Sequence, residues 1–396
     1  MTKNEEFSIE DLQAYETWSK YLENLPRVKT KSFGKLNIGT FFSGIGAVEQ
    51  ALERLKIDHT VKLACDNNKF VKQSYFANYN LSDGYWYDDI NHFIKNPVDG
   101  LDLDLLVGGS PCQSFSSVGK RKGLNDDRGS LVYSFIDAIE ITQPKVFIFE
   151  NVKGILTIEK GKVWEEEILP SFQDLGYSLN HKVLNAKDYG IPQHRERLFL
   201  VGIKNGPKYS FPEPIPLHLK VRDLLLDNAD ESLYLSEKGV KFVTSEKQQK
   251  MSSTQINGEV AICQRANQQF NWHGDFITES FQPLEEKYFL SEAVKNYVLS
   301  SGTKGFYSKP KTDLEIARPL LATMASMHRA GVDNYYTYGE RVRKLSPKEC
   351  LRLMGFSDNF KQEVSNTQMY RQSGNSMVVD VIMHLIANLE TYYQSK

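Results

Sequence analysis

Between residue 36 and about residue 203, short apolar runs recur at intervals separated by segments of helical character. The runs "LNIGTFF", "VKLAC", "LDLLVGG", "KVFIFEN" and "RLFLVGI" read as strands. Strands alternating with helices predict an α/β fold around a mostly parallel sheet. Two more helices follow from the pattern. Near the N-terminus, "SIEDLQAYETWSKYLENLP" offers Ser8 as a cap and sets Ile9, Leu12, Trp18, Leu22 and Leu25 near helical spacing before Pro26. Near the C-terminus, "SMVVDVIMHLIANLETYY" lines up Val378, Val381, Ile382, Leu385 and Leu389 on one face, which needs an apolar surface to rest on. After "KNGPKYSFPEPIPLH" the texture changes, and residues 240–310 become rich in Ser, Gln, Asn and Lys. The expected organisation is a helical extension over 1–33, an α/β domain over 34–207, a smaller domain with its hinge over 208–371, and a segment, 372–396, that returns to the first domain.

Composition narrows the class. With 396 residues, 40% hydrophobic and 12% aromatic, the chain can bury a sizeable core. Its apolar runs fall short of the roughly 18 residues of a membrane span, and "MTKNEEFSIED" has no signal-peptide core, so a cytoplasmic protein without membrane attachment is expected. Cys65, Cys112, Cys263 and Cys350 are scattered, and no histidines form HExxH; neither a disulfide framework nor a metal site is indicated. The net charge of −2 means that a nucleic-acid partner would have to be met by local positive charge.

Candidate chemistry clusters at the predicted strand ends. "FFSGIGAVEQALERL" is a strand, a glycine turn and a helix, an arrangement that serves nucleotides, S-adenosylmethionine or plain tight packing. Strand "VKLAC" ends at Asp66, where an acid can accept hydrogen bonds from both ribose hydroxyls, and Asp88-Asp89 could bind an adenine amino group. In "GGSPCQSFSSVGKRKG", Cys112 lies just past a buried strand, with Pro111 stiffening the turn. "FIFEN" puts Glu150 at another strand tip, and "QHRER" puts Gln193, Arg195 and Arg197 before a further strand. Thiol, carboxyl and two guanidiniums can converge on one sheet edge.

With these motifs in this order, the chain resembles the bacterial cytosine DNA methyltransferases that modify carbon 5. The resemblance runs from about residue 36 to 390 through "FFSGIGAVEQAL", "ACDNNKF", "DDI", "GGSPCQSFS", "DDRGSL", "FENV", "YGIPQHRERLFLVG", "RPLLAT" and "QSGNSMVVDVI". Ser43, Ala47 and Asn67 depart from the common pattern, the last where an aromatic often packs on the cofactor adenine. The resemblance implies a Rossmann-like methyltransferase fold with a smaller target-recognition domain, S-adenosyl-L-methionine as cofactor and double-stranded DNA as substrate. It assigns Cys112 as a nucleophile toward a flipped cytosine, Glu150 as the acid holding the ring, Arg197 at the ring O2 and Arg195 at a phosphate or the loop. Phe42, Gly44, Gly46, Asp66, Asp89, Ile90, Pro111, Asn375 and Ser376 would line the cofactor pocket. Gln113, Ser116, Lys120, Arg121, Lys122 and Gln193 would face DNA. A monomer in a restriction-modification setting is implied, with a cognate endonuclease but no stable complex with it. Two other readings are a transfer-RNA methyltransferase of the same fold and a catalytically silent DNA-binding regulator. The long insert before "RPLLAT" weighs against the first, and the retained Cys112, Glu150, Arg195 and Arg197 against the second.

Overall fold

The computed structural model describes residues 22, 33–111, 131–225, 234–245, 254–256, 258–262, 274–276, 335–338 and 341–393. The expected N-terminal helix lies outside these residues, apart from Leu22, which packs against the core. The chain forms β1 (Leu36–Phe41), β2 (His59–Cys65), β3 (Trp86–Tyr87), β4 (Leu105–Gly109), β5 (Val146–Val152), β6 (Ser178–Asn185), β7 (Gln193–His194) and β8 (Glu196–Ile203). Seven of these make one sheet in the order β3-β2-β1-β4-β5-β8-β6. It is parallel from β3 to β5, whereas β8 runs antiparallel to both β5 and β6. Each of the five strand-like runs is a strand, and the mostly parallel α/β sheet is as expected. The pattern missed β3, which has two residues, and β6, whose "SLNHKVLN" is polar because it forms a sheet edge with much of its length half-buried or exposed.

Alternation along the strands builds a core on each face. Leu105, Val107, Val146, Ile148, Phe199 and Val201 point to one side, where helix α1 (Ala47–Leu55) packs. Leu106, Phe147, Phe149, Leu198 and Leu200 point to the other, against Trp164 and Phe172. Helices α2 (Lys69–Asn78), α3 (Ile90–Lys95) and α4 (Leu131–Thr142) follow β2, β3 and β4. With both faces covered, the central strands read as continuous apolar runs, which is why they were legible. No described helix is long and apolar enough to cross a membrane.

The chain returns through α5 (Asn366–Asn375) and α6 (Val379–Ala387). Val378, Val381, Ile382, Leu385 and Leu389 are all buried, and they belong to the same core as Val48 and Leu52 of α1. Arg54 closes this junction with two hydrogen bonds to Asp380, at 2.7 and 2.9 Å, and a third to Gly355 O at 2.8 Å. The Arg54 and Asp380 side chains are 8% and 4% exposed. Removing one partner of such a pair strands a buried charge. Asp380→Ala is therefore expected to lower the unfolding free energy by about 3–5 kcal/mol. The shift in the denaturant midpoint measures it, and an Arg54→Met/Asp380→Leu double variant should recover much of the loss.

Candidate active site

The turn between β1 and α1 holds three residues in the left-handed region: Phe42 (φ 55°), Gly44 (φ 55°) and Gly46 (φ 79°). Glycine is required at 46, where a Cβ would lie 2.2 Å from the Tyr79 ring. Phe42 has no such excuse, and non-glycine residues in this region concentrate at functional sites. Gly44 N–H donates to one Asp66 oxygen and Asn68 N–H to the other, each at 3.0 Å. Burial at the strand tip raises the Asp66 pKa above the ordinary aspartate value of 3.8, against the pull of those two donors. At the tip of β3, Asp89 is exposed and caps α3 by accepting from Asn91 N–H at 2.8 Å, with Ile90 buried behind it. The first strand tips thus present a backbone cradle and two acids side by side.

A second group lies further along the same sheet edge. Glu150 Oε1 is 3.1 Å from Arg197 Nε. Gly109 makes room for the acid, since a Cβ there would stand 2.9 Å from Glu150 Oε2. Burial is the dominant influence on Glu150 and raises its pKa; Arg197 and then Arg195 pull it down. Asn151, which sequence reasoning passed over, is buried and donates from Nδ2 to Ser110 O at 3.2 Å and Ser110 Oγ at 3.1 Å. It thereby fixes the strand end leading to exposed Pro111. Its adjacency to Glu150 was the available signal. Cys112, Gln113, Ser116, Lys120, Arg121 and Lys122 lie outside the described residues.

Gln193 and Arg195 are both enclosed by the returning chain. Gln193 is 0% exposed and donates from Nε2 to Leu353 O at 2.7 Å, so it is enclosed rather than turned toward DNA. Arg195, expected at a phosphate or the loop, is 3% exposed; its Nη2 donates to Gly374 O at 3.1 Å and Ser376 O at 2.7 Å, so it holds the loop that follows α5. Those carbonyls lie at the C-terminal end of α5, where a cation is favoured. Ser376 is buried beside them and Asn375 is exposed.

The family C-5 cytosine-specific DNA methylase matches residues 36–391. The chain belongs to this family. The methylase is 29% identical over 366 residues to the type II methyltransferase M.HhaI of Haemophilus parahaemolyticus, covering 91% of this chain and 96% of that protein. It is 30% identical over 342 residues to the type II methyltransferase M.NgoBI of Neisseria gonorrhoeae, covering 86% and 89% of the two chains. Among solved structures, the S. pombe Dnmt2 methyltransferase shares the fold with a TM-score of 0.59 at 20% identity, over 90% of this chain and 99% of that one.

The methyl donor of this family is S-adenosylmethionine. The site fits it: the left-handed turn leaves the space over Gly44 open, with nothing nearer than 3.9 Å to an added Cβ. Asp66 and Asp89 follow the paired strands β2 and β3 at one edge of the sheet, and their carboxyl groups are of the kind that accepts hydrogen bonds from a sugar and an amine. Asp66→Ala is expected to weaken cofactor binding by about 1–3 kcal/mol through lost charge-assisted hydrogen bonds. Because burial raises this acid's pKa, its carboxylate is lost at a higher pH than in a free aspartate. Calorimetric affinity for S-adenosylmethionine should therefore fall on acidification through that raised value, and Asp66→Asn should flatten the dependence.

Proposed function

We propose that the methylase transfers a methyl group to carbon 5 of a cytosine flipped out of a specific duplex sequence, through a covalent Cys112 adduct. The observation that carries this reading is the Glu150–Arg197 pair at the edge of the sheet, two strands from the glycine turn. A cytosine within a duplex cannot reach an acid set into a sheet edge, so the base must be extruded at a cost of a few kcal/mol. Carbon 5 is a weak nucleophile until a thiolate adds to carbon 6. In the proposed sequence the Cys112 sulfur forms a bond to carbon 6 while Glu150, as a neutral acid, supplies its proton to ring N3 and holds the exocyclic amine. Arg197 engages the ring O2. The Phe42–Gly46 turn, Asp66, Asp89 and the Asn375–Ser376 loop would hold S-adenosylmethionine, whose sulfonium would supply the electrophilic methyl. Loss of the carbon 5 proton to a base then expels the Cys112 thiolate, and return of the N3 proton to the Glu150 carboxylate restores the neutral ring and the acid.

Residues 1–33 extend the catalytic unit in this reading, and 208–371 supply target recognition. The chain acts as a monomer beside a cognate restriction endonuclease, in the cytoplasm, and the segment holding Lys120, Arg121 and Lys122 contacts DNA. The type II relatives support the restriction-modification setting.

Bisulfite sequencing of DNA from a host expressing the chain tests activity and site together. Methylation of one recurrent sequence is expected; methyl transfer to transfer RNA with none to duplex DNA would overturn the reading. Glu150→Gln should lower kcat by about 10²–10⁴-fold with cofactor affinity unchanged, since the acid acts on the base alone. Because burial raises the Glu150 pKa, kcat should decline as pH rises through that value and the acid becomes a carboxylate. A target cytosine with fluorine at carbon 5 accepts the methyl but has no proton to surrender. A covalent protein–DNA complex stable to denaturing electrophoresis should then accumulate, dependent on S-adenosylmethionine and absent in Cys112→Ala. Turnover on ordinary DNA with no such complex would exclude the covalent route.

A further inference from the structure

Beneath the cofactor turn runs a chain of buried polar side chains that the methyl transfer does not use. Ser43 Oγ accepts from Cys65 N–H at 2.9 Å and lies 2.7 Å from Thr40 Oγ1, either hydroxyl being able to donate to the other. Thr40 Oγ1 donates to Glu49 Oε1 at 3.4 Å, and Tyr75 OH donates to the same oxygen at 2.6 Å. Tyr79, which caps the C-terminal end of α2, donates to Gly46 O at 3.0 Å. All five side chains are buried, and Glu49 is 1% exposed.

Burying so many polar groups costs stability unless each is satisfied, and apolar side chains would fill the same space at less cost. Their placement gives the reason. They join the end of β1, the turn, the first turn of α1, the end of β2 and α2, which are the elements that meet around Phe42–Gly46. A turn with three left-handed residues, one of them phenylalanine, persists where its surroundings over-determine it.

We propose that Ser43, Thr40, Glu49 and Tyr75 form a positioning network, with Glu49 as the shared acceptor, that holds the cofactor turn in its left-handed path. This rests on the reading that the turn lines the cofactor pocket. The surroundings favour the neutral form of Glu49: among the described residues its Oε2 is buried without a hydrogen-bond partner, and burial raises its pKa against the pull of Tyr75, its own N–H, His59 and Thr40. The charged or titratable groups that face it are His59 on β2, whose Nδ1 is 2.9 Å from Ile57 O, and on its own helix Glu53, raised in pKa by its own burial. From α2, the Tyr75 and Tyr79 hydroxyls are held protonated by burial. Glutamine reproduces the acceptor and the missing charge together.

The test titrates full-length variants with S-adenosylmethionine in a calorimeter, alongside thermal unfolding and methyl-transfer kinetics. Tyr75→Phe and Ser43→Ala, each losing one hydroxyl, are expected to raise the Kd and the cofactor KM by about tenfold while kcat at saturating cofactor stays within about twofold. Glu49→Leu should match them, and Glu49→Gln should stay within about threefold of the parent. Gly46→Ala tests the underlying reading, because its Cβ cannot fit beside Tyr79. If Gly46→Ala binds cofactor normally, the turn is not in the pocket and the proposal falls with that reading. If Gly46→Ala loses affinity while Tyr75→Phe and Ser43→Ala keep it, the network positions nothing. A fall in kcat parallel to the loss of thermal stability in every variant would reduce the network to fold support, and equal losses in Glu49→Gln and Glu49→Leu would exclude the neutral acid.

Discussion

Arg54 and Asp380 stand 326 positions apart and meet as a bidentate pair. The rest of the architecture depends on that meeting. With α6 seated on α1, the loop after α5 lies where Arg195 takes hold of Gly374 O and Ser376 O. Hydrophobic burial along α6 provides most of the attraction, but it is non-directional. The guanidinium, which also donates to Gly355 O, fixes the depth and rotation at which the helix docks.

The direction of β8 governs the second half of the site. Its antiparallel pairing with β5 sets Glu150 opposite Phe199 and Val152 opposite Arg197. Arg197 therefore enters from the strand's beginning just where β5 ends, and its side chain reaches back to the acid. A parallel neighbour would put its C-terminal end there instead. The result is an acid under opposed influences, with burial pushing its pKa up and two guanidiniums pulling it down, and burial prevails. An acid of this kind can be neutral when a base arrives and still have cations beside it to stabilise charge as it shifts, which is the balance that proton transfer to a ring nitrogen requires.

What could be read from the sequence follows from how each feature is encoded. The five central strands were legible because two-sided burial writes itself as uninterrupted apolar runs; β3 and β6 were not, being respectively very short and a polar edge. The last helix announced its buried face through Val378, Val381, Ile382, Leu385 and Leu389. Glu150, Arg197 and Asp66 were found at strand tips because open α/β sheets gather their ligands there. The resemblance placed Gln193 at DNA and Arg195 at a phosphate or the loop, whereas the structure encloses both side chains against backbone carbonyls; no composition rule separates a buried guanidinium with carbonyl partners from an exposed one. Asn151 and the polar chain around Glu49 were missed for the same reason, since their partners are distant in sequence or are backbone atoms.

The burial of Gln193 and Arg195 is itself informative about the stretch "QHRER". Between β7 and β8 lies only Arg195, and burial alternates along the stretch, with Gln193 and Arg195 enclosed, His194 half-buried and Glu196 exposed. Along it Gln193 grips Leu353 O, Arg195 the loop at Gly374 and Ser376, and Arg197 the carboxyl of Glu150. Ala261 and Ile262 pair with Gln193 and His194 on the same stretch, tying it to the region beyond 207. One extended segment thus registers three parts of the protein against each other at steps of two residues. A guanidinium enclosed among carbonyls holds that register better than one left at the surface, where solvent would screen its contacts and its own rotamer freedom would oppose them.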